Sequence, residues 1–217
     1  MYNDMPMEDI SKDVEFAKKW MFAIAMSLKK GLHLNIIHNL DRPFNELLLG
    51  LEGWIPIYMT GQISPYYFKQ PTDKLFAHTL YLSDICALSG EGIRGYHNQS
   101  KYYLTCKKNE LHFYKTRASH LLKKASSLMD IYTENNKDDF EQFIRNEKND
   151  NEHNIIEIDN ENLRKTFKNI TFSICKEKWI LIQKKTNPEI NFVIYHPTLR
   201  NAIENFITPI IENQDKS

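Results

Sequence analysis

The spacing of apolar residues switches repeatedly between two periods along this chain, and this alternation restricts its fold more than any other feature. Between residues 14 and 28 apolar side chains recur every three or four positions, which is the period of a helix. Residues 32–38 instead form a short apolar run typical of a buried strand. Because both periods recur, we predict an α/β fold, a mixed sheet flanked by helices, in two unequal halves.

The predicted elements follow one another as helix, strand, helix, strand, hairpin, strand and long helix, and then as helix, three strands and helix. The helices are predicted at residues 13–30, 43–54, 109–132, 160–167 and 197–208. The strands are predicted at residues 32–38, 63–68, 75–82, 86–93, 101–105, 170–175, 178–184 and 190–195. Pro65 indicates that its strand lies at a sheet edge, because proline cannot donate to a hydrogen-bond ladder.

The charge distribution suggests where the two halves are joined. Residues 134–161 carry ten acidic and three basic side chains, a net charge of −7, together with several asparagines. We expect an N-terminal tail at residues 1–12 and a first α/β half with the ligand site at residues 13–133. A solvated acidic connection at residues 134–159 then leads to a second, smaller half at residues 160–217.

Composition and cysteine usage restrict the class and the compartment. The 28 basic and 28 acidic residues give no net charge, which argues against a nucleic-acid footprint over the whole protein. Cys86, Cys106 and Cys175 are far apart and form no C-x-x-C pair, which favours reduced thiols in the cytoplasm over disulfides or zinc. No signal peptide is visible, and the longest apolar stretch, residues 20–28, is too short for a membrane span.

Glycine and histidine patterns argue against common cofactor sites. All seven glycines lie between Gly31 and Gly95, so the C-terminal half has no phosphate-binding glycine loop. Gly90, Gly92 and Gly95 give only a very weak phosphate-loop signal, because Gly95 falls in a strand–loop context, and no metal-binding His or Cys spacing occurs. We therefore expect neither a cofactor nor a metal.

Polar candidates lie near the ends of predicted strands. Asp41 and Arg42 closely follow His38, which ends a strand, and open α/β sheets place ligands at the carboxyl ends of strands. A plainer interpretation is that Asp41 caps the next helix and Arg42 lies on the surface. His78 and Glu91 on the predicted hairpin are further candidates, although they also fit ordinary hairpin positions.

The segment that follows is rich in aromatic residues. Trp54, Tyr58, Tyr66 and Tyr67 could line a pocket for a flat or apolar ligand, with Glu52 as a polar contact. The same rings could equally pack in the core, with each phenol hydrogen-bonded at its boundary. The sequence leaves both interpretations open.

Residues 101–124 are strongly basic. Seven basic side chains against Glu110 give a net charge of +6, and Tyr102, Tyr103 and Phe113 lie among them. Such a pattern could bind an anionic partner. A simpler interpretation is that the helix needs a polar face and that its aromatic residues lie in the core stripe. The patch could also pair with the acidic connection.

Residues 37–46 and 49–67 resemble the C-terminal regulatory region of a group of bacterial Xre-type helix-turn-helix transcriptional regulators. The most specific stretch, residues 49–67, reads LGLEGWIPIYMTGQISPYY. Residues 87–95, 101–105 and 178–206 extend the resemblance over most of residues 13–207. The resemblance implies a regulatory module. The DNA-binding headpiece of such regulators would precede residue 13, and twelve residues are too few to form one, so we expect no direct DNA binding by this chain.

The element order also looks like a phospholipase-D-like fold, the architecture of some bacterial sensor domains. Catalytic members of that family carry a His, a Lys two residues later and then an Asp, once in each half. Here Leu80 stands two residues after His78, Asp84 lies near the Asp position, and the second half has no such trio. Because the reaction of that family needs two histidines, we expect a degenerate, non-catalytic version.

Together these features favour a non-catalytic sensor and dimerisation module of a cytoplasmic transcriptional regulator, which binds a small ligand or a protein partner. The expected ligand contacts are His38, Asp41, Arg42, Glu52, Trp54, Tyr58, Tyr66, Tyr67, His78 and Glu91. The helix around residues 111–132 is the expected homodimer contact. The alternatives are a degenerate phosphodiesterase or nuclease that uses His78 and Asp84, and an accessory interaction protein that acts through its charged surfaces.

Overall fold

The computed structural model describes residues 1–5, 14–70, 73–96, 99–151 and 154–212. Within these residues it has a mixed seven-stranded sheet and an antiparallel five-stranded sheet, accompanied by helices, which confirms the mixed α/β class. The chain divides into two compact units. The first unit comprises residues 1–46 and 62–127, and the second comprises residues 47–61 and 128–217. The division differs from the expected halves because residues 47–61 group with the C-terminal part of the chain.

The first unit is built around parallel strands that continue into an antiparallel meander. Its elements are β1 (Tyr2–Asn3), α1 (Val14–Lys29), β2 (Leu34–His38), the start of α2 (Phe44–Tyr58), β3 (Ile63–Tyr67), β4 (Phe76–Leu82), β5 (Ala87–Ile93), β6 (Lys101–Thr105), α3 (Lys108–Lys124) and β7 (Ser126–Ser127). The strand order is β6-β5-β4-β1-β2-β3-β7. β1, β2 and β3 are mutually parallel, whereas β4, β5 and β6 pair antiparallel. The carboxyl ends of the three parallel strands therefore meet at one edge.

Strand β1 replaces the first part of the expected N-terminal tail. Tyr2 pairs with Ile37 of β2 on one side and with Leu80 of β4 on the other. These two residues of β1 thus join the parallel half of the sheet to the meander. A two-residue strand has too few positions to show a period in the sequence. Residues 6–13 of the expected tail lie outside the described residues.

Local burial explains the other elements of this unit. Ile36 and Ile37 of β2 are both buried, as expected for a parallel strand covered on two faces. The expected edge position of the strand that contains Pro65 was wrong, because β7 pairs with Tyr66 and Tyr67 and lies outside β3 in the described strand order. Pro65 itself takes no part in the pairing with β7, which suits a residue without a backbone donor. Helix α1 packs through one stripe: Ile24 and Leu28 are buried, whereas Phe22 is 68% exposed.

The second unit has an antiparallel sheet. Its elements after residues 47–61 of α2 are β8 (Asp130–Tyr132), a 3₁₀ turn (Glu134–Asn136), α4 (Lys137–Asn151), β9 (Ile155–Ile158), α5 (Glu161–Thr166), β10 (Ile170–Cys175), β11 (Trp179–Lys184), β12 (Ile190–Ile194) and α6 (Pro197–Glu212). The strand order is β8-β12-β11-β10-β9. All described pairings are antiparallel, so β10 and β12 run in the same direction and end at the same edge.

Both faces of this sheet are covered. On one face, side chains of helix α4 pack against the sheet and form a buried cluster with it. The buried members are Phe140 of α4 and Cys175, Trp179, Leu181 and Val193 of the sheet, and Tyr132, Phe143, Ile144 and Ile155 pack around them. On the other face Phe192 meets Tyr58 of α2, with ring centroids 6.1 Å apart, and Phe172 meets Phe167, at 5.8 Å. Leu199 and Ile203 of α6 are also buried. A two-sided core explains why the strands read as continuous apolar runs.

Two expectations for the middle of the chain were wrong. Where a solvated connection was expected, Lys137–Asn151 form α4 and Ile155–Ile158 form β9, because Phe140, Phe143 and Ile144 give the acidic segment an apolar face that packs on the sheet. The long helix expected to reach residue 132 ends at Lys124, where Ala125 has an extended backbone. The apolar residues that continued its period are instead buried in the connection that leads to β8.

Two expected helix ends were also too early. Helix α2 passes through Pro56 to Tyr58, and helix α6 passes through Pro209 to Glu212. In both cases the proline falls in the last turn, where the loss of one helical hydrogen bond affects little further helix.

Two findings bear on the compartment. No helix in the described ranges is long and apolar enough to cross a membrane. The expectation that all cysteines are reduced was wrong: Cys86 and Cys106 form a disulfide, and Cys175 is buried as a free thiol. The pair was missed because it is non-local in sequence. β5 and β6 align Ala87 with Thr105, which places the two cysteines opposite each other at the ends of these strands.

The disulfide should stabilise the first unit by restricting its unfolded state. The bridge closes a separation of 20 residues, for which loop closure predicts about 3 kcal/mol. We expect Cys106→Ser to lower the free energy of unfolding of the non-reduced protein by that amount in urea titrations. Reductant should destabilise the wild type and leave the Cys106→Ser variant unchanged. Equal stability of the wild type with and without reductant would contradict this assignment.

Candidate functional site

Polar side chains gather at the edge of the first unit where β1, β2 and β3 end. We call this group the strand-end cluster; its members are Tyr2, Asn3, Asp4, His38, Asn39, Asp41, Arg42, Glu46, His78 and Arg94. The location is the one at which parallel strands of α/β proteins present ligand-binding groups. Helix α2 also begins here, so the positive end of its dipole adds to the cluster.

Asp4 is the most deeply buried charged residue of the cluster, with 1% of its surface exposed. Its carboxylate accepts hydrogen bonds from the Tyr2 hydroxyl at 2.9 Å and from Arg94 Nη2 at 3.0 Å, and a third from the backbone N–H of His78. Burial, followed by the negative charge of Asp4, raises the pKa of Tyr2, so this phenol stays a donor at neutral pH. Asp4 therefore fixes one side of the cluster through three donors.

Arg42 fixes the other side. Its Nη1 donates to the carbonyl of Met5 at 2.8 Å and to Glu46 Oε2 at 2.8 Å, while Nη2 donates to the carbonyl of Asn3 at 2.9 Å. Only 9% of the Arg42 side chain and 10% of the Glu46 side chain are exposed. The guanidinium therefore ties the end of β1 to the first turn of α2, and its charge is balanced by Glu46. The surface position considered for Arg42 was wrong.

His38 is neutral at physiological pH. Burial, followed by the positive charge of Arg42, lowers its pKa to about 4. A neutral imidazole has one donor and one acceptor nitrogen, so His38 can exchange hydrogen bonds without carrying charge. Asp41, in contrast, is exposed and donates its backbone N–H to Asn39 Oδ1 at 2.9 Å.

Within the described residues, Asn39 is the member of the cluster with a fully buried side-chain donor that has no partner. It is 6% exposed, and its Oδ1 is used by Asp41, but its Nδ2 has no acceptor in the described part of the chain. A buried donor without a partner costs about 1–3 kcal/mol, and native proteins contain few of them. The amide therefore marks a position where an acceptor from outside the chain would be stabilised.

His78, a member of the cluster, and Glu91, outside it, lie on the neighbouring strands β4 and β5. They are directly opposite each other across β4 and β5, with 3.3 Å between His78 Nε2 and Glu91 Oε2. Asp84 lies in the turn beyond the other end of β4, with a fully exposed side chain that pairs with Lys115. The four residues from His78 to the end of β4 at Leu82 span about 13 Å, and Asp84 lies beyond them in the turn, so the two side chains cannot act on one bond.

The predicted aromatic pocket is divided between the two units. Tyr66 and Tyr67 lie half-buried on β3 of the first unit, whereas Trp54 and Tyr58 lie on α2 in the second. Tyr58 is 5% exposed and packs in the core against Phe192. The apolar cavity beside it has a volume of about 10 Å³, which has no room for an organic ligand. The side chain of Glu52 lies outside the described part of the structure, and its assignment stays a prediction.

The simpler interpretation of the basic segment, residues 101–124, was wrong about its aromatic residues. Its aromatic residues do not lie in a core stripe: Tyr102 is 55% exposed, Tyr103 49% and Phe113 60%, while Leu111 is the buried residue of α3. This segment therefore presents aromatic rings and cations together on the surface of the first unit.

No complete catalytic or metal-binding set stands out among the residues that the structure describes. No group of three or more His, Cys, Asp or Glu side chains there could hold a metal ion. His33 Nε2 and Ser64 Oγ lie 2.8 Å apart, but the hydrogen bond is exposed and no carboxylate orients the ring in this part of the chain. The strand-end cluster thus contains two ion pairs, the neutral imidazole of His38 and the buried amide nitrogen of Asn39.

Sequence reasoning found His38, Arg42 and His78 but missed Asp4, Asn39, Glu46 and Arg94. Asn39 could have been noticed, because it directly follows the strand that ends at His38. Asp4 and Arg94 gave no signal, since they are 90 residues apart and meet only through the pairing of β1 with β4.

The burial of neutral His38 should make stability depend on pH. Its pKa is about 4 in the folded protein and about 6.5 when unfolded, so the unfolded state binds more protons between these values. We expect the free energy of unfolding to fall as pH drops from about 6.5 to 4, by up to about 3 kcal/mol. His38→Gln should flatten this slope, and His120→Gln, at an exposed position, should not. Parallel slopes for wild type and His38→Gln in urea titrations would contradict the assignment.

Comparison with protein-family models, curated proteins and solved structures finds no match for this chain. The regulatory family and the phospholipase-D-like arrangement therefore stay predictions from the sequence.

Proposed function

We propose that this protein is a non-catalytic, ligand-binding sensor and dimerisation module of a cytoplasmic transcriptional regulator. The observation that carries the proposal is the buried Asn39 amide with its spare donor, at the carboxyl ends of parallel strands. The sequence resemblance to regulatory regions suggests the biological setting, and the cluster suggests the place where the signal enters.

The strand-end cluster suits recognition of a small polar molecule. The buried pair of Arg42 with Glu46 and the partly buried pair of Asp4 with Arg94 hold the surrounding backbone in place. Side chains that are already paired within the chain hold the site in one geometry. The unpaired donor of Asn39 can then determine which ligand binds. The proposed contacts are thus Asn39, neutral His38 and the half-buried Tyr67, which is aligned with His38 across β2 and β3.

A phosphodiesterase function is less well supported. The separation of His78 and Asp84 along β4 leaves the two proposed catalytic groups too far apart to cooperate, and His78 is engaged with Glu91. A binding role uses the same edge of the sheet without requiring a second histidine.

The exposed surface of β6 and α3 supports an interaction role. Tyr102, Leu104 and Phe113 are each more than half exposed, and cations surround them. Tyrosine and phenylalanine are enriched at protein interfaces. We therefore place the homodimer contact on β6 and α3, which also covers an accessory role through charged surfaces.

The proposed compartment is the cytoplasm, where a transcriptional regulator acts. Disulfides are rare there and are usually transient, catalytic or redox-sensing. In this compartment we expect the Cys86–Cys106 pair to be reduced for part of the time. The redox state of the cell would then affect the N-terminal end of α3, which follows Cys106.

Loss of the spare donor should abolish ligand capture. Asn39→Asp keeps the oxygen that Asp41 uses and removes Nδ2, so the fold should survive while the ligand is lost. We expect native mass spectrometry of wild-type protein from its host to show a bound small molecule that is absent from Asn39→Asp. The matched control is Asn160→Asp. Asn160 is a buried helix cap, and the substitution keeps the side-chain oxygen that accepts the capping hydrogen bonds. A ligand retained equally by all three proteins would contradict the proposal.

A charge placed on the proposed dimer surface should separate the subunits. We expect the wild type to show twice its 25.7 kDa chain mass by light scattering at micromolar concentration, and Phe113→Glu to show the chain mass. The comparison variant is Phe22→Glu, which places the same charge on the exposed side of α1. Dissociation by Phe22→Glu alone would move the contact to α1, and a monomeric wild type would exclude the dimer.

A further inference from the structure

Arg200 in the second unit is a buried cation without a counter-charge. It lies in the first turn of α6, with 9% of its surface exposed, and its Nε is buried without a hydrogen-bond acceptor. Across the residues that the structure describes, no carboxylate lies within 4.0 Å of its guanidinium, although eight other ion pairs are present. Arginine keeps its proton even when it is buried, so the positive charge of Arg200 remains.

Two other arginines with low exposure, Arg42 at 9% and Arg94 at 27% of the side chain, are paired within the chain. Arg42 is paired with Glu46 and two carbonyl groups, and Arg94 with the carboxylate of Asp4. Leaving a buried ion uncompensated costs several kcal/mol, even after local relaxation. Arg42 and Arg94 are thus paired within the chain, whereas the residues that the structure describes provide no carboxylate for Arg200.

The surroundings of Arg200 lie at the edge where β10 and β12 end. Burial, followed by the charge of Arg200, lowers the pKa of His196, one helical turn before it. Burial and then Glu147 raise the pKa of Cys175 at the end of β10, while Lys178 and Arg200 act in the opposite direction. The guanidinium therefore lies near both residues. Glu147 itself accepts the hydrogen bond of Trp179 Nε1 at 2.6 Å.

Helix α6 adds a second positive feature at this edge. It has 16 residues and no acidic residue in its first turn, so its own sequence does not offset the positive end of its dipole. Side chains in a helix lean toward its N-terminus, which directs Arg200 toward the first-turn N–H groups. A cationic fork and a helix N-terminus that converge on one place form the arrangement that proteins use for oxyanions.

We propose that the second unit binds a small oxyanion, a phosphate or carboxylate group, through Arg200 at the N-terminus of α6. The anion supplies the charge that the buried guanidinium lacks, and it enters from the exposed side of the first turn, where Pro197 and Thr198 face solvent. This inference is independent of the ligand at Asn39, because the two sites belong to different units.

The test is thermal unfolding of the full chain in inorganic phosphate, in acetate and in chloride at equal ionic strength. We expect one of the two oxyanions to stabilise the wild type saturably, with an unfolding temperature about 5–10 °C higher at a hundredfold excess over its Kd. Phosphate also stabilises proteins without binding, and that contribution should rise without saturation. Whichever oxyanion saturates identifies the group that the site accepts.

Arg200→Met is the decisive variant, because it removes an uncompensated charge and keeps the apolar stem. We expect it to fold at least as stably as the wild type in chloride and to lose the saturable stabilisation, while Asn39→Asp keeps it. As a second measurement, phosphate or acetate titration should shift the Nε–H resonance of Arg200 in arginine-labelled wild-type protein. Saturable stabilisation that persists in Arg200→Met, or no saturable response to either oxyanion, would overturn the proposal.

Discussion

The first unit depends on a buried carboxylate that holds a two-residue strand in the middle of its sheet. β1 is the only link between the parallel strands and the antiparallel meander in the described strand order, and two residues form too few backbone hydrogen bonds to secure it. Asp4 adds hydrogen bonds from Tyr2, Arg94 and His78, and Arg42 grips the carbonyls of Asn3 and Met5. The polar groups that attach this strand are thus the ones that frame the candidate site.

This arrangement gives the strand-end cluster its chemical character. Arg42 is paired with Glu46 and Arg94 with Asp4, and burial together with Arg42 keeps His38 neutral. Among the described residues, the buried amide donor of Asn39 has no partner. In the second unit, the buried Nε of Arg200 likewise has no acceptor among the residues described. Since buried polar groups are normally satisfied, such exceptions are more informative about ligands than the satisfied majority.

Long periodic elements were readable from the sequence, and short or non-local features were not. The strands of the second unit appeared as apolar runs because their sheet is buried on both faces. The end of α3 was misread because the apolar period continues through Leu128 and Met129, which are buried outside the helix. α4 was hidden by its acidic face. The Cys86–Cys106 bridge and the contact of Asp4 with Arg94 require knowledge of which strands are neighbours, and one sequence does not contain it.

The candidate site shows the same division. His38, Asp41 and Arg42 were predicted because they end or follow a recognisable strand, whereas Asn39, which lies between them, was not predicted. The most direct test of a binding role is a crystal structure of the protein purified from its host without refolding. The account predicts non-protein density with an acceptor atom about 2.7–3.2 Å from Asn39 Nδ2. A protein group or a lone water at that position, with no ligand in the strand-end cluster, would contradict it.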